Sequence, residues 1–156
     1  MSAIITNRNA VKKLAGLFLF TILMSFSNGF GGEGFQVYLN NKVVFEQFGS
    51  KMDVIQTLKL DQADENDQLS IIYHHCGRIA KNRTITIRDE QDKILKQWKF
   101  SDVKDGAARM TCKVKDILGL QTGKSSSLKL YYSSSELPKG RQIVAIGIPS
   151  KNIAKR

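Results

Sequence analysis

The chain reads Ser70-Ile-Ile-Tyr-His-His-Cys-Gly-Arg-Ile-Ala-Lys-Asn-Arg-Thr-Ile-Thr-Ile-Arg88 near its centre, and this stretch contains two strand-like runs with a turn between them. The first run is apolar on both faces, as in a strand that is packed inside a sheet. The second run, Thr84 to Arg88, alternates polar and apolar residues with the period of a half-buried strand. Both histidines and one of the two cysteines lie close to the turn, so the unusual side-chain chemistry of the chain is concentrated here.

Similar alternation recurs on both sides of this stretch. The pair Asn40-Asn41 separates two strand-like runs and predicts a tight hairpin, because asparagine tolerates a positive φ angle. Only Asp116 to Leu120 indicates a turn of helix, and no run is a convincing helix of ten residues. We count nine short strands bounded by polar turns. This spacing predicts an all-β fold, an antiparallel β-sandwich of the immunoglobulin-like or Greek-key type.

Residues 1–27 have the features of a signal peptide. A positive segment that begins at Arg8 precedes an uncharged apolar run of 13 residues from Leu14 to Phe26. That run is shorter than the roughly 20 residues that cross a bilayer. We therefore predict cleavage before Asn28, a secreted or periplasmic location, and no stable membrane span after processing. Retention of the segment as an N-terminal anchor is the alternative.

The predicted organisation has four parts: a signal peptide at 1–27, a flexible exit segment at 28–34, a β-sandwich domain at 35–150 and a basic C-terminal tail at 151–156. Removal of the signal peptide leaves 129 of the 156 residues. That length is enough for one domain with its own core and too short for two comfortable domains.

Charge is unevenly distributed along the chain. The formal net charge is +10, and it falls to +7 when the three basic residues of the signal peptide are removed. Residues 28–77 then have a net charge of −4 and residues 78–156 a net charge of +11. Such a molecule could meet an anionic glycan, another envelope component or an acidic protein. Export argues against a nucleic-acid partner. The simpler alternative is that the lysines keep exposed strands soluble and unpaired.

Two interpretations of the cysteines exclude each other. An oxidising compartment favours a disulfide between Cys76 and Cys112. Alternatively, His74, His75, Cys76 and Cys112 could hold a soft metal ion, copper or zinc, if their strands are neighbours. Two separately buried thiols are the third possibility. We predict the disulfide, with no metal and no cofactor.

No catalytic constellation is complete in the sequence. A nucleophilic serine or cysteine needs a neighbouring base and a third group that orients the base, and the serines here lie in serine-rich loops without those partners. We therefore predict no catalytic residues and no enzymatic activity. The sequence favours an exported β-sandwich that acts by binding or as a structural accessory, with an unknown ligand; the alternative is a soft-metal binding protein.

Overall fold

The computed structural model describes residues 32–60, 65–104, 107–120 and 127–147. The predicted signal peptide at 1–27 and the basic tail at 151–156 lie outside these residues, as does most of the exit segment at 28–34. Processing and export therefore stay predictions.

The described residues form nine strands, some with alternating polar and apolar residues and others, such as the apolar run before His74, without that alternation. They are β1 (Gly34–Leu39), β2 (Lys42–Phe48), β3 (Gln56–Lys59), β4 (Gln68–His74), β5 (Thr84–Arg88), β6 (Ile94–Lys99), β7 (Met110–Lys113), β8 (Ser127–Ser134) and β9 (Leu137–Gly147). A 3-10 turn at Gly49–Asp53 and a short helix, α1 (Val114–Leu118), interrupt them. In the described part of the chain, no helix has the length and apolar character needed to cross a membrane.

The strands pair into two sheets, in the orders β2-β1-β4-β7 and β3-β9-β8-β5-β6. The fold is an all-β sandwich, which confirms the predicted class. Connections cross between the sheets, so β1 pairs with β4 and β5 pairs with β8 although these strands are not consecutive. One pair departs from the antiparallel prediction, because β3 runs parallel to β9. A parallel pair requires a long crossover connection, and most of the domain separates these two strands.

The core lies between the sheets. Successive side chains of a strand point to opposite faces, and the inward set is almost fully buried: Leu69 and Ile71 on β4, and Leu128 and Leu130 on β8. The register places Leu130 beside Ile87 of β5. The alternation that predicts the strands therefore also predicts much of the core.

Close packing fixes the start of β1. A Cβ atom added to Gly34 would collide with the Phe48 ring as it is packed on β2, so glycine fits here and larger residues do not. β1 thus begins at the last residue of the segment that we expected to be flexible. The carbonyl of Glu33 accepts a hydrogen bond from the amide of Gly49 at 3.0 Å. These contacts hold the Glu33 carboxylate at one end of the sandwich.

Candidate functional site

A tight turn, His75 to Arg78, follows the end of β4. The amide of Arg78 donates to the carbonyl of His75 at 2.9 Å. Cys76 and Gly77 have φ angles of 47° and 78°, and positive values at both central positions are the mark of a type I′ turn. Glycine adopts this region freely, whereas a residue with a Cβ atom does so at a cost. The turn holds the Cys76 side chain exposed to solvent.

Three aromatic rings connect the two sheets behind this turn. Tyr73 comes from β4, His75 lies just beyond that strand, and Tyr132 comes from β8 in the other sheet. The Tyr73 ring centroid lies 4.4 Å from that of Tyr132 and 4.6 Å from that of His75. The Tyr132 hydroxyl is 2.9 Å from Nε2 of His75. The histidine is therefore held between the sheets.

Charged side chains surround these rings. The Tyr73 hydroxyl donates to the Glu33 carboxylate at 2.6 Å, and Arg141 of β9 lies 3.6 Å from the same carboxylate. At the surface, Arg78 pairs with Glu136 at 3.2 Å. The sandwich-end cluster is defined as these residues and the rings they surround: Glu33, Tyr73, His75, Arg78, Tyr132, Glu136 and Arg141.

Burial sets the protonation states in the cluster. It lowers the pKa of His75, and the carboxylates of Glu33 and Glu136 oppose this shift without reversing it. Burial also raises the pKa of Tyr132, so its hydroxyl keeps its proton. Because the pKa of His75 lies below its usual 6.5, the imidazole is neutral near pH 7. The ring nitrogen that holds the proton sets the direction of the hydrogen bond with the Tyr132 hydroxyl.

Two adjoining cavities open beside the cluster, and His75 and Arg78 line both. The inner cavity has a volume of about 170 Å³ and extends to Arg83. The outer cavity has a volume of about 250 Å³, and Glu33, Cys76 and Glu136 complete its lining. Among the residues that the structure describes, carboxylates line the outer cavity and none lines the inner one, so the two differ in charge.

The predicted disulfide between Cys76 and Cys112 is wrong, because both cysteines are free. Cys112 on β7 is paired with Leu69, near the start of β4, whereas Cys76 lies beyond the opposite end of that strand. At about 3.3 Å per residue, the two positions are roughly 20 Å apart along β4, and a disulfide needs Cα atoms within about 7 Å. The two cysteines therefore lie near opposite ends of β4, too far apart to form a disulfide.

The predicted metal alternative fails for the same reason. His74, His75, Cys76 and Cys112 do not converge on one point, as a copper or zinc site requires. His75 faces Tyr132 between the sheets, while His74 lies on the opposite face of the strand, with its ring 5.8 Å from that of Phe48. Among the residues that the structure describes, no three His, Cys, Asp or Glu side chains are arranged to hold a metal ion.

Several residues of the site were not predicted from the sequence. Glu33 fell in the expected exit segment, Tyr132 in an ordinary strand, and Arg83 in a polar turn. Arg83 is nevertheless only 6% exposed, which is rare for arginine. The available signal was its position directly before the alternating run that begins at Thr84.

Known proteins offer no guide to this site, because the chain matches no protein-family model and no curated protein.

Proposed function

We propose that this protein is an exported binding protein without catalytic activity, and that its ligand binds at the sandwich-end cluster. One observation supports this most strongly: polar side chains from both sheets meet beside two adjoining cavities. Ligand sites are typically concave and combine an apolar or aromatic wall with a few fixed polar groups. Here Tyr73 and Tyr132 form the aromatic support, and His75 and Arg78 offer hydrogen-bond donors. Export itself is predicted from residues 1–27, outside the described part.

The hydrogen bonds of the cluster favour binding over catalysis. A cysteine nucleophile needs a base that accepts its proton, and His75 is the neighbour of Cys76 in the turn. Nε2 of His75, however, is already hydrogen-bonded to the Tyr132 hydroxyl at 2.9 Å and lies 3.4 Å from the Ser134 hydroxyl. These contacts hold the ring between the sheets and leave only Nδ1 for a further partner. A ring fixed in this way is better suited to line a binding site than to turn toward the Cys76 thiol as its base.

A titration followed by NMR tests the location of the site. The isotope-labelled protein is mixed with a small-molecule extract of the cells that produce it. We expect saturable shifts of the amide signals of His75 to Arg78 and of Glu136, and the loss of these shifts in a His75→Gln variant. Lys42→Gln on β2, near the opposite end of β4, is the matched control and should retain them. Shifts confined to other surfaces, or no shifts, would refute the proposed site.

A substrate panel tests the absence of catalysis. The purified protein is incubated with ester, glycoside and peptide substrates, and we expect no turnover above that of a buffer blank. Turnover that disappears in Cys76→Ala or His75→Gln would show that the cluster is catalytic and would end the binding proposal.

A second candidate function, binding to an anionic glycan of the envelope, is favoured by the charge of the five-stranded sheet. Its strands contain seven basic residues and no acidic residue: Lys59, Arg88, Lys96, Lys99, Lys129, Lys139 and Arg141. The strands of the four-stranded sheet contain two basic residues and one acidic residue: Lys42, Lys113 and Glu46. The register places four of the seven on the outer face: Lys59, Arg88, Lys99 and Lys129. Lys129 is paired with Asp92 at 2.9 Å, and the other three basic residues leave this face an excess of positive charge. Such a face attracts a polyanion and holds it less tightly as salt screens the charges.

Chromatography on immobilised heparin tests this second candidate. We expect retention that weakens as the salt concentration rises, and earlier elution of an Arg88→Gln, Lys99→Gln double variant. Arg88 is the key position because its guanidinium stacks on the Tyr131 ring at 4.3 Å, which presents the planar group for an oxyanion. The matched control is Lys42→Gln, Lys113→Gln, which removes the same charge from the other sheet. Retention that is independent of salt, or equal effects of the two double variants, would contradict glycan binding by this face.

A further inference from the structure

Arg83 is a buried cation directly before β5. Its side chain is 6% exposed. The two terminal nitrogens donate to the backbone carbonyls of Ser101 at 2.6 Å and Ala108 at 2.8 Å. The Nε atom is buried and has no hydrogen-bond partner. One donor of the guanidinium is thus left free inside the protein.

Arg83 forms no ion pair within 4 Å with any described residue. Asp102 belongs to the loop that Arg83 contacts, but its carboxylate accepts the amide of Asn82 at 2.8 Å. A guanidinium stays protonated in proteins, and burial of a charge is costly unless a partner compensates it. The two carbonyls supply hydrogen bonds and leave the net positive charge in place.

The inner cavity lies against this cation. Its lining includes Arg78, His74 and His75 in addition to Arg83, and none of the described residues that line it is acidic. The volume of about 170 Å³ corresponds to roughly five or six waters at about 30 Å³ each. A small oxyanion with a few waters fits this space, and the lining has the charge to attract it.

From this geometry we propose that the inner cavity binds an oxyanion group, a carboxylate, phosphate or sulfate, with Arg83 as its buried counter-ion and Arg78 as a second cationic donor, while His75 lines the same cavity. The inference rests on the proposed function, since it names the ligand class of the sandwich-end site. Arginine is the side chain best matched to planar recognition of an oxyanion. Arg78 is available for this role because its present partner, Glu136, is held in an exposed ion pair, and such pairs contribute little stability.

Calorimetric titration with sodium sulfate, sodium phosphate and sodium acetate at constant ionic strength tests the ligand class. Dimethyl sulfone and acetamide serve as neutral probes of similar size. We expect saturable binding of at least one anion, binding of neither neutral probe, and a rise in the unfolding temperature with the bound anion. The bound group could belong to a free ion or to a larger molecule that ends in it, and titration with both separates these two sources. We expect the larger molecule to bind more tightly than the free ion.

Substitutions then test the assigned residues. Arg83→Met removes the buried charge and should weaken anion binding about tenfold or more, while Arg83→Lys keeps the charge and should weaken it less. If Arg83→Met does not fold, the exposed Arg78 provides the test, and Arg78→Gln should weaken binding by about three- to tenfold. Lys42→Gln removes a charge from β2 beside Leu39, which pairs with Leu69 at the opposite end of β4, and should leave the affinity unchanged.

Each outcome bears on one proposal. No saturable anion binding, or an affinity that Arg83→Met and Arg78→Gln leave unchanged, would overturn the assignment. Neutral probes that bind and shift the amide signals of the turn would reject the oxyanion class while leaving the proposed binding function intact.

Discussion

The two ends of β4 face different interiors. At the first end, Leu69 is paired with Cys112 and both side chains belong to an aliphatic core. At the second end, Tyr73 and His75 meet Tyr132, with hydrogen-bonded and charged groups around them. The inward-facing positions follow the same two-residue period at both ends. The two-residue period therefore determines which side chains of β4 point inward, but it does not determine which residues of other elements they contact.

The second end of β4 is polar because other elements of the fold place charged side chains beside it. Glu33 arrives from the segment before β1, Arg141 from β9 and Arg83 from the residue before β5. At a strand terminus the side chains lie near loops and solvent, so polar groups find partners there that a mid-strand position lacks. The comparison indicates that polar side chains gather where strands of both sheets end together.

Thiol reactivity should show the largest difference between the two ends. Cys76 is exposed, whereas Cys112 is 2% exposed, and burial together with the nearby Asp116 raises its pKa to about 12. The thiolate is the reactive form, and access to Cys112 requires opening against a free energy of several kcal/mol. An aromatic disulfide reagent should therefore modify Cys76 about 10³-fold faster or more. Both thiols should react at once in denaturant without reductant. If no free thiols are found in denaturant without reductant, Cys76 and Cys112 are joined in a disulfide and the assignment of two free cysteines is wrong.

Truncation of a core residue should have the next largest effect. Ile71 is fully buried between the two ends of β4, so Ile71→Ala should lower the free energy of unfolding by about 2–5 kcal/mol. Ile72→Ala is the matched control, because Ile72 is half-buried on the opposite face of the same strand, and it should cost about 1 kcal/mol. Unfolding in urea measures both. Equal losses would contradict the orientation of β4.

Much of the fold could be predicted because local patterns decide it. Alternation located the strands and put Cys112 on a buried face, and Asn40 indeed adopts a positive φ of 56° in the hairpin between β1 and β2. Pairing between distant strands could not be predicted in this way. Connections that cross between the sheets determine the parallel pairing of β3 with β9 and the pairing of Cys112 with Leu69 of β4. Such connections produce no pattern in the local sequence.

The candidate site was predictable only in part. Residue type pointed to His75 and Cys76, and both lie at the site. The predicted metal-ligand set that included Cys112 was wrong. The two-residue period shows on which face of a strand a side chain lies, but it does not show which residue of the neighbouring strand is paired with it. Arg83 could not be found from composition or period, since its burial depends on carbonyls of a loop that are distant in sequence.

The polar end should make stability depend on pH. Burial lowers the pKa of His75 below its usual 6.5, so the unfolded chain takes up a proton at a higher pH than the folded protein. The stability that depends on the neutral imidazole is complete above pH 6.5 and is lost as the pH falls below that value toward the folded pKa. The charged groups that face the ring, Glu33, Glu136 and Arg78, remain in all variants compared.

Urea unfolding of the wild type and His75→Gln, at a series of pH values from about 7.5 to 5, measures this effect. The variant should lose less stability as the pH falls, by an amount smaller than the cost of Ile71→Ala because His75 is only half-buried. His74→Gln controls for the loss of an imidazole on the opposite face of the strand. Identical slopes for His75→Gln and the wild type would show that the ring is not held neutral between the sheets.

The smallest expected effect concerns the turn from His75 to Arg78. It distinguishes the contribution of the backbone to the stability of the polar end from the contribution of the side chains. Cys76 has a φ angle of 47°, where a Cβ atom costs roughly 1–2 kcal/mol. Asparagine tolerates this region, and Asn-Gly is the favoured pair of type I′ turns. Cys76→Asn should thus raise the free energy of unfolding by about 0.5–1 kcal/mol, whereas Cys76→Ala, which removes the thiol and keeps the strain, should not. If the two variants are equally stable, the strain does not lie at residue 76, and the Tyr132 hydrogen bond alone positions His75.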